Sequence, residues 1–291
     1  MEEHLYRIAL GIQYDGTGFL GWQSQTHKNT VQDVLQSAIS KFLGGKLDES
    51  FRVTVAGRTD SGVHALGQVV HFDTSINRPM WSWIRGINTY LPSTVSIEWA
   101  KEVPFEFHAR FSAYERSYAY LLISSAVKTP LLNKKAGYVM LPYGKSLDVQ
   151  AMREGAQYLI GEQDFSCFRS SECQSKTPIK TMYQVNIVEE DKRIYFFLRA
   201  NAFLHHMVRN IVGSLIEVGK GKQSPEWIAF LIEQRSRKIA APTFSADGLY
   251  LVKVQYPNDF EIPAPNFGYS VIPPHLLDQA FSSRFDDPNL E

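Results

Sequence analysis

Cysteine is nearly absent: the 291 residues contain two, Cys167 and Cys173, with five residues between them. One such pair can neither staple a disulfide scaffold nor supply the paired C-x2-C ligands of a zinc site, so both read as free thiols. Long apolar runs are missing as well. No window reaches the ~20 consecutive apolar residues that a membrane helix needs. The N-terminal MEEHLYRIALGIQYDG has no basic stretch followed by an apolar core, as a secretory leader would, which predicts a cytoplasmic protein. Net charge is lacking too, with 30 basic and 30 acidic side chains. That balance does not by itself point to a nucleic-acid partner, because phosphate binding usually leaves a basic surplus.

The zero conceals an asymmetry. Residues 258–291 carry Asp259, Glu261, Asp278, Asp286, Asp287 and Glu291 against Arg284 alone, which leaves the preceding 257 residues basic by five. A surplus of that size permits RNA binding and equally describes an ordinary mixed surface. The length and the 44% hydrophobic content suffice for a substantial core, in one large domain or two of ordinary size.

Hydrophobic period predicts an alternating strand at Tyr6–Tyr14, a helix at Thr30–Phe42 with Thr30 as N-cap, and a strand at Phe51–Ala56. A strand at Gly67–Phe72, a helix at Met80–Tyr90 stopped before Pro92, and a strand at Val95–Glu102 follow. The order is β-α-β-β-α-β. The second half reads as strand Arg116–Ile123, helix Leu147–Ile160, strands Thr181–Glu189 and Arg193–Ala200 joined by a polar turn, helices His205–Val218 and Pro225–Glu233, and strand Leu249–Gln255. This repetition predicts an α+β protein of two ferredoxin-like, split β-α-β halves related by a pseudo-two-fold, with a central basic cleft. The expected domains are 1–107, 108–257 and a Pro-rich acidic tail, 258–291, that is irregular or docked.

Polar residues cluster at one place. Between two apolar runs, FRVTVAGRTDSGVHALGQVVHFD (51–73) holds Gly57, Arg58, Thr59, Asp60, Ser61, Gly62 and His64. Glycines at 57, 62 and 67 permit positive φ and let a backbone or ligand come close, as a loop presenting Asp60 to a substrate requires. A plain Asp-Ser-Gly turn, with Asp60 capping backbone N–H groups, fits the same pattern.

The decapeptide AGRTDSGVHA closely resembles the signature of the TruA-type tRNA pseudouridine synthases. YDGTGFLGWQ (14–23), FHARFSAYERSYAY (107–120), NAFLHHMVRNIVG (201–213) and GLYLVKVQYP (248–257) are similar to further blocks of that family, in its order. The acidic tail lies outside the resemblance. What the resemblance implies is an isomerase that converts uridine to pseudouridine at positions 38, 39 and 40 of the tRNA anticodon arm, without a cofactor, as a homodimer whose subunits both contact tRNA. Asp60 corresponds to the family's catalytic aspartate, acting as nucleophile at C1′ or C6 or as base at a sugar proton. Tyr118 corresponds to the tyrosine that packs on the target base, and Arg58 to the arginine that supports nucleotide flipping. Arg209 corresponds to the arginine that pairs with the aspartate and keeps it ionised. Arg110 and Arg116 are the further candidate phosphate contacts.

Other signals lead elsewhere. GKS at 144–146 lacks the P-loop glycine, Val139 standing in its place, which disfavours nucleotide hydrolysis. His205 and His206 are adjacent, with no Cys or carboxylate cluster nearby in the sequence, so no metal is expected. His64 and His108 sit within the motif blocks, either against RNA or in structural roles. Two rival functions remain: a noncatalytic RNA-binding module, which has no need of the carboxylate, and a pseudouridine synthase for another RNA or position.

Overall fold

Alternation in YRIALGIQY makes a strand, yet Ile8, Ala9, Leu10 and Ile12 are all buried, so both faces of that strand are covered. The structure is a computed structural model that describes residues 4–26, 28–45, 51–268 and 270–281. The chain is α+β, with ten strands and six α-helices among the described residues, and it divides into two compact units. None of the described helices is long and apolar enough to cross a membrane.

Among the described residues, the first unit comprises those within 4–114 and 251–275. It contains β1 (Tyr6–Tyr14), α1 (Val31–Phe42), β2 (Thr54–Val55), β3 (His64–Thr74), α2 (Met80–Asn88) and β4 (Val95–Val103). β1 is antiparallel to β3 on one side and to β4 on the other, and β2 pairs with β3. α1 starts where expected because the Asp33 N–H donates to Thr30 Oγ1 at 3.3 Å while the Thr30 hydroxyl donates to Asp33 Oδ2 at 2.6 Å. Trp83 on α2 is fully buried, edge-on to Phe42 and Phe72 at 5.4 and 5.5 Å between ring centres. Those contacts fasten both helices to β3.

The second unit comprises residues 115–250 and, among the described residues of the tail, 276–281. Its elements are β5 (Glu115–Ser125), β6 (Gly137–Met140), α3 (Val149–Gln157), β7 (Gly161–Asp164), β8 (Ile179–Glu190), β9 (Arg193–Ala200), α4 (Met207–Gly219) and α5 (Trp227–Gln234). β5, β9, β8 and β7 lie side by side in that order, each antiparallel to the next, and β6 runs parallel to the end of β5. Asp191 and Lys192 close the β8–β9 hairpin with φ of 53° and 63°, the two left-handed residues a tight turn of that hand requires. α4 is buried at every position except Arg209 and Glu217.

β10 (Leu249–Gln255) is shared: its first two residues group with the second unit, and the remainder lies beside β3 in the first. The tail is docked. Phe260 packs edge-on to Phe107 at 5.2 Å, Lys101 Nζ reaches Glu261 Oε2 at 2.8 Å, and Ile272 is fully buried. Its last helix, α6 (Pro274–Phe281), buries Leu276 and Leu277 and sets Phe281 5.6 Å from Phe197 of the second unit's β9. Residues 282–291 of the expected tail lie outside the described residues.

Several boundaries differ from the periodic reading. The expected strand Phe51–Ala56 contracts to β2, Thr54–Val55, although the Ala56 N–H still donates to Val69 O on β3 at 2.9 Å, in line with the β2–β3 register. The helix expected from His205 begins at Met207, because His206 has φ 64°, which no α-helical residue adopts. The strands β6 and β7 and the helix α6 were not expected.

Candidate active site

The loop 56–63 between β2 and β3 holds Arg58 and Asp60, and its backbone is fixed from three directions. Thr59 is buried, and its hydroxyl shares a hydrogen bond with Tyr14 OH at 2.8 Å. Its carbonyl accepts from the Trp22 N–H at 3.0 Å. Gln68 on β3, fully buried, donates to Gly57 O at 2.8 Å and to Tyr14 OH at 3.4 Å. Past Asp60, the Gly62 N–H and the Ser61 hydroxyl both donate to Phe19 O, at 3.3 and 3.2 Å. Burial pushes the Tyr14 phenol up to about 12, so it remains a hydroxyl donor at neutral pH.

The block YDGTGFLGWQ is the cradle of this loop. A Cβ on Gly16 would come within 2.0 Å of Val63 O, and one on Gly21, whose φ is +88°, within 2.8 Å of Thr59 O. Only glycine lets these backbones approach so closely. Among the loop's own glycines, Gly62 has the positive φ, at 80°, while Gly67 serves a close approach instead: a Cβ there would lie 2.4 Å from Val252 O. Gly57 does neither, its φ being ordinary and no neighbour lying within 4 Å of a Cβ. His64 is buried, and its Nδ1 accepts from the Gly16 N–H at 3.1 Å, a structural role. Asp60 itself is half-buried and Arg58 exposed, so the loop presents both from a pinned backbone.

In the second unit, β5 turns Arg116 and Tyr118 to its less buried face while Ser117 and Ala119 are fully buried. Segment 201–213 meets that face. Arg116 Nη1 donates to Asn201 O at 3.0 Å, and the Tyr118 ring stands edge-on to Phe203 at 5.0 Å. Arg209 lies one turn into α4, where its Nε donates to Phe244 O at 2.8 Å. The next residue explains why segment 237–244 stays there: fully buried Asn210 donates to Phe168 O at 2.7 Å and accepts from Arg237 at 3.0 Å and Thr243 at 2.7 Å. Beneath Arg116, Glu115 and Arg199 form a buried ion pair, with Arg199 Nη2 3.2 Å from Glu115 Oε2. Arg110 belongs to a separate turn of the first unit, its guanidinium 5.5 Å from the Phe111 ring centre. The two cysteines are free thiols, and burial pushes the Cys167 thiol up to about 12, which leaves it protonated and inert.

Sequence reasoning did not reach Tyr14, Gly21, Gln68 or Asn210. Their signal was membership of quoted blocks, without a role attached, because each has a partner at least thirty residues away, Gln68 through Tyr14 as well as through nearby Gly57.

Comparison with known proteins agrees with the motif blocks. A family model described as tRNA pseudouridine synthase matches residues 11–112 and 156–257. The tRNA pseudouridine synthase A of Polynucleobacter asymbioticus is 54% identical over 273 residues, covering 93% of this chain and 99% of that protein. The protein of the same name from Ralstonia nicotianae is 56% identical over 258 residues, covering 89% of this chain and 93% of that one. Among solved structures, a chain from a Cbf5-Nop10-Gar1 complex aligns with 84% of this chain and 48% of its own length, at 12% identity and a TM-score of 0.35.

Proposed function

The chain belongs to the tRNA pseudouridine synthase family, and from that premise we propose that Asp60 is the nucleophile with which it isomerises uridine to pseudouridine in tRNA. The reaction breaks the bond from N1 to C1′, turns the uracil and joins C5 to C1′. C5 loses a proton and N1 gains one, so substrate and product are isomers and no redox partner is consumed. An ionised carboxylate forms and then releases the bond to the nucleoside.

The observation that carries this reading is local. Asp60 is half-buried on a loop whose preceding residue is buried and hydrogen-bonded and whose following turn is tied to Phe19 O. Such support holds a reacting group in one place without covering it. Tyr118 is assigned to the face of the target base, where stacking contributes roughly 1–3 kcal/mol against the cost of unstacking it. Arg58 is assigned to the displaced nucleotide, and Arg110 and Arg116 to phosphates. Arg209 is assigned as the cation that supports the ionised carboxylate. The support for these roles is the family resemblance, together with the anchoring of Arg116 to Asn201 and of Arg209 to Phe244. Uridines 38, 39 and 40 of the anticodon arm, a homodimeric working unit and a cytoplasmic location complete the proposal.

The test is release of tritium from tRNA labelled at uridine C5. Asp60→Asn is expected to abolish release while tRNA affinity stays within a few fold, because the carboxylate acts on the bond and contributes no attraction to phosphates. Turnover near that of the unaltered protein would remove Asp60 from the chemistry.

A further inference from the structure

The turn 108–112 in the first unit holds an aromatic ring in water on a backbone with no free N–H. The His108 N–H donates to Ser112 Oγ and the Ser112 N–H to His108 O, both at 2.9 Å. The Arg110 and Phe111 N–H groups both donate to His108 Nδ1, at 3.2 Å, and the Ala109 N–H donates to His71 Nδ1 at 3.1 Å. Ala109 O accepts from Tyr256 OH at 2.7 Å. Five consecutive N–H groups are therefore satisfied within the molecule, and the turn is rigid. Its tip is Phe111, which is 75% exposed.

Phe111 does not dangle. Its ring lies stacked on the His108 imidazole, with centres 4.4 Å apart and planes at 29°, and His108 in turn stands edge-on to buried His71 at 5.0 Å. One face of the phenyl is backed by a histidine, and the Arg110 guanidinium lies 5.5 Å from its centre. A flat ring kept in water on a rigid turn beside a cation matches one ligand chemistry: an unpaired base on the ring and its phosphate near the guanidinium.

We propose that Phe111 is a stacking platform for an unpaired nucleotide of the RNA substrate, backed by His108 and flanked by Arg110. The nucleotide is distinct from the uridine that reacts, whose base is assigned to Tyr118. Burial and the nearby Arg7 charge lower the His108 pKa, which keeps Nδ1 the acceptor that pins the turn at neutral pH. The proposal rests on tRNA being the substrate.

Fluorescence anisotropy with unmodified tRNA at several salt concentrations tests it. Phe111→Leu is expected to weaken binding by about 5- to 100-fold at every salt concentration, the loss of one base stack, with the slope against salt unchanged. Phe111→Tyr, which keeps the ring, stays within about twofold of the unaltered protein, and Arg110→Gln reduces the salt slope by about one. In the unaltered protein, added tRNA is expected to move the Phe111 ring signals upfield in NMR spectra. Phe111→Leu binding tRNA normally, Phe111→Tyr falling as far as Phe111→Leu, or unmoved ring signals overturns the platform. So does a Phe111→Leu protein with unchanged tRNA affinity and a changed oligomeric mass, which makes the ring a contact between protein chains. Failure of the unaltered protein to bind tRNA brings down the assigned substrate, a result read before any variant is compared.

Discussion

The hydroxyls of Tyr14 and Thr59 lie 2.8 Å apart in the interior, one residue before the carboxylate of Asp60. Tyr14 closes β1 and Thr59 belongs to the loop after β2, so a single hydrogen bond ties the loop to the middle of the first unit's sheet. Gln68 joins the same group from β3. The position of Asp60 along the chain is thereby converted into a position in space.

Tyr14→Phe removes the shared hydroxyl and leaves buried Thr59 Oγ1 and Gln68 Nε2 each short of a partner. A loss of about 1–3 kcal/mol in urea unfolding is expected. Single-turnover rate should fall by more than tRNA affinity does, because the loop that moves carries Asp60, the proposed nucleophile. Unaltered stability and turnover would show that the bond contributes nothing to the site.

At Gly21 an alanine would occupy a backbone with φ +88° and bring its Cβ 2.8 Å from Thr59 O. Gly21→Ala is expected to cost about 1–3 kcal/mol and to reduce turnover by displacing the loop. Gly18→Ala is the control, since a Cβ at Gly18 meets nothing within 4 Å. Equal thermal stability of the two variants would argue against the cradle.

Burial, with the Arg7 charge and His108 adding to it, lowers the His71 pKa from 6.5 to about 4, and its Nδ1 accepts from the Ala109 N–H. The native state therefore keeps this imidazole neutral while the unfolded chain takes up a proton near pH 6.5. The stability His71 contributes is complete above that pH and is lost as pH falls from about 6.5 to about 4. His71→Gln, which keeps an acceptor and cannot titrate, should flatten this part of the stability profile in urea melts. An equally steep profile would assign the acid sensitivity to other groups.

Glu115 and Arg199 are 3% and 1% exposed and face each other across β5 and β9. Removing one charge strands the other, so Arg199→Met should cost about 3–5 kcal/mol, and adding Glu115→Gln should restore part of the loss. A strictly additive pair of substitutions, measured by denaturant unfolding, would mean that the two charges do not stabilise each other.

Alternation located β1, β9 and β10 to the residue because each is bounded by residues of different character: Asp15, the Asp191–Lys192 turn, and Tyr256–Pro257. It missed β6 and β7, which are four residues each and too short to show a period, and α6, which follows a Pro-rich stretch that resembles linker composition. The loop around Asp60 was legible as a polar island between apolar runs. Its support was not, since Tyr14 and Thr59 are 45 residues apart and neither carries a local sign of the other. The Phe111 turn was equally hidden: the histidine that backs it looks in sequence like any residue of its block.

The late arrival of β10 has a consequence at the ribosome. β3 ends at Thr74, and its neighbour β10 begins at Leu249, after nearly the whole second unit. At ~5–20 residues per second, roughly 10 to 35 s separate the emergence of the two strands. During that interval the first unit lacks the strand that lies beside β3, and the part of that edge not covered by β2 can pair with another nascent chain. The unit whose synthesis begins first thus receives its last strand late, and its maturation waits on translation of the second unit.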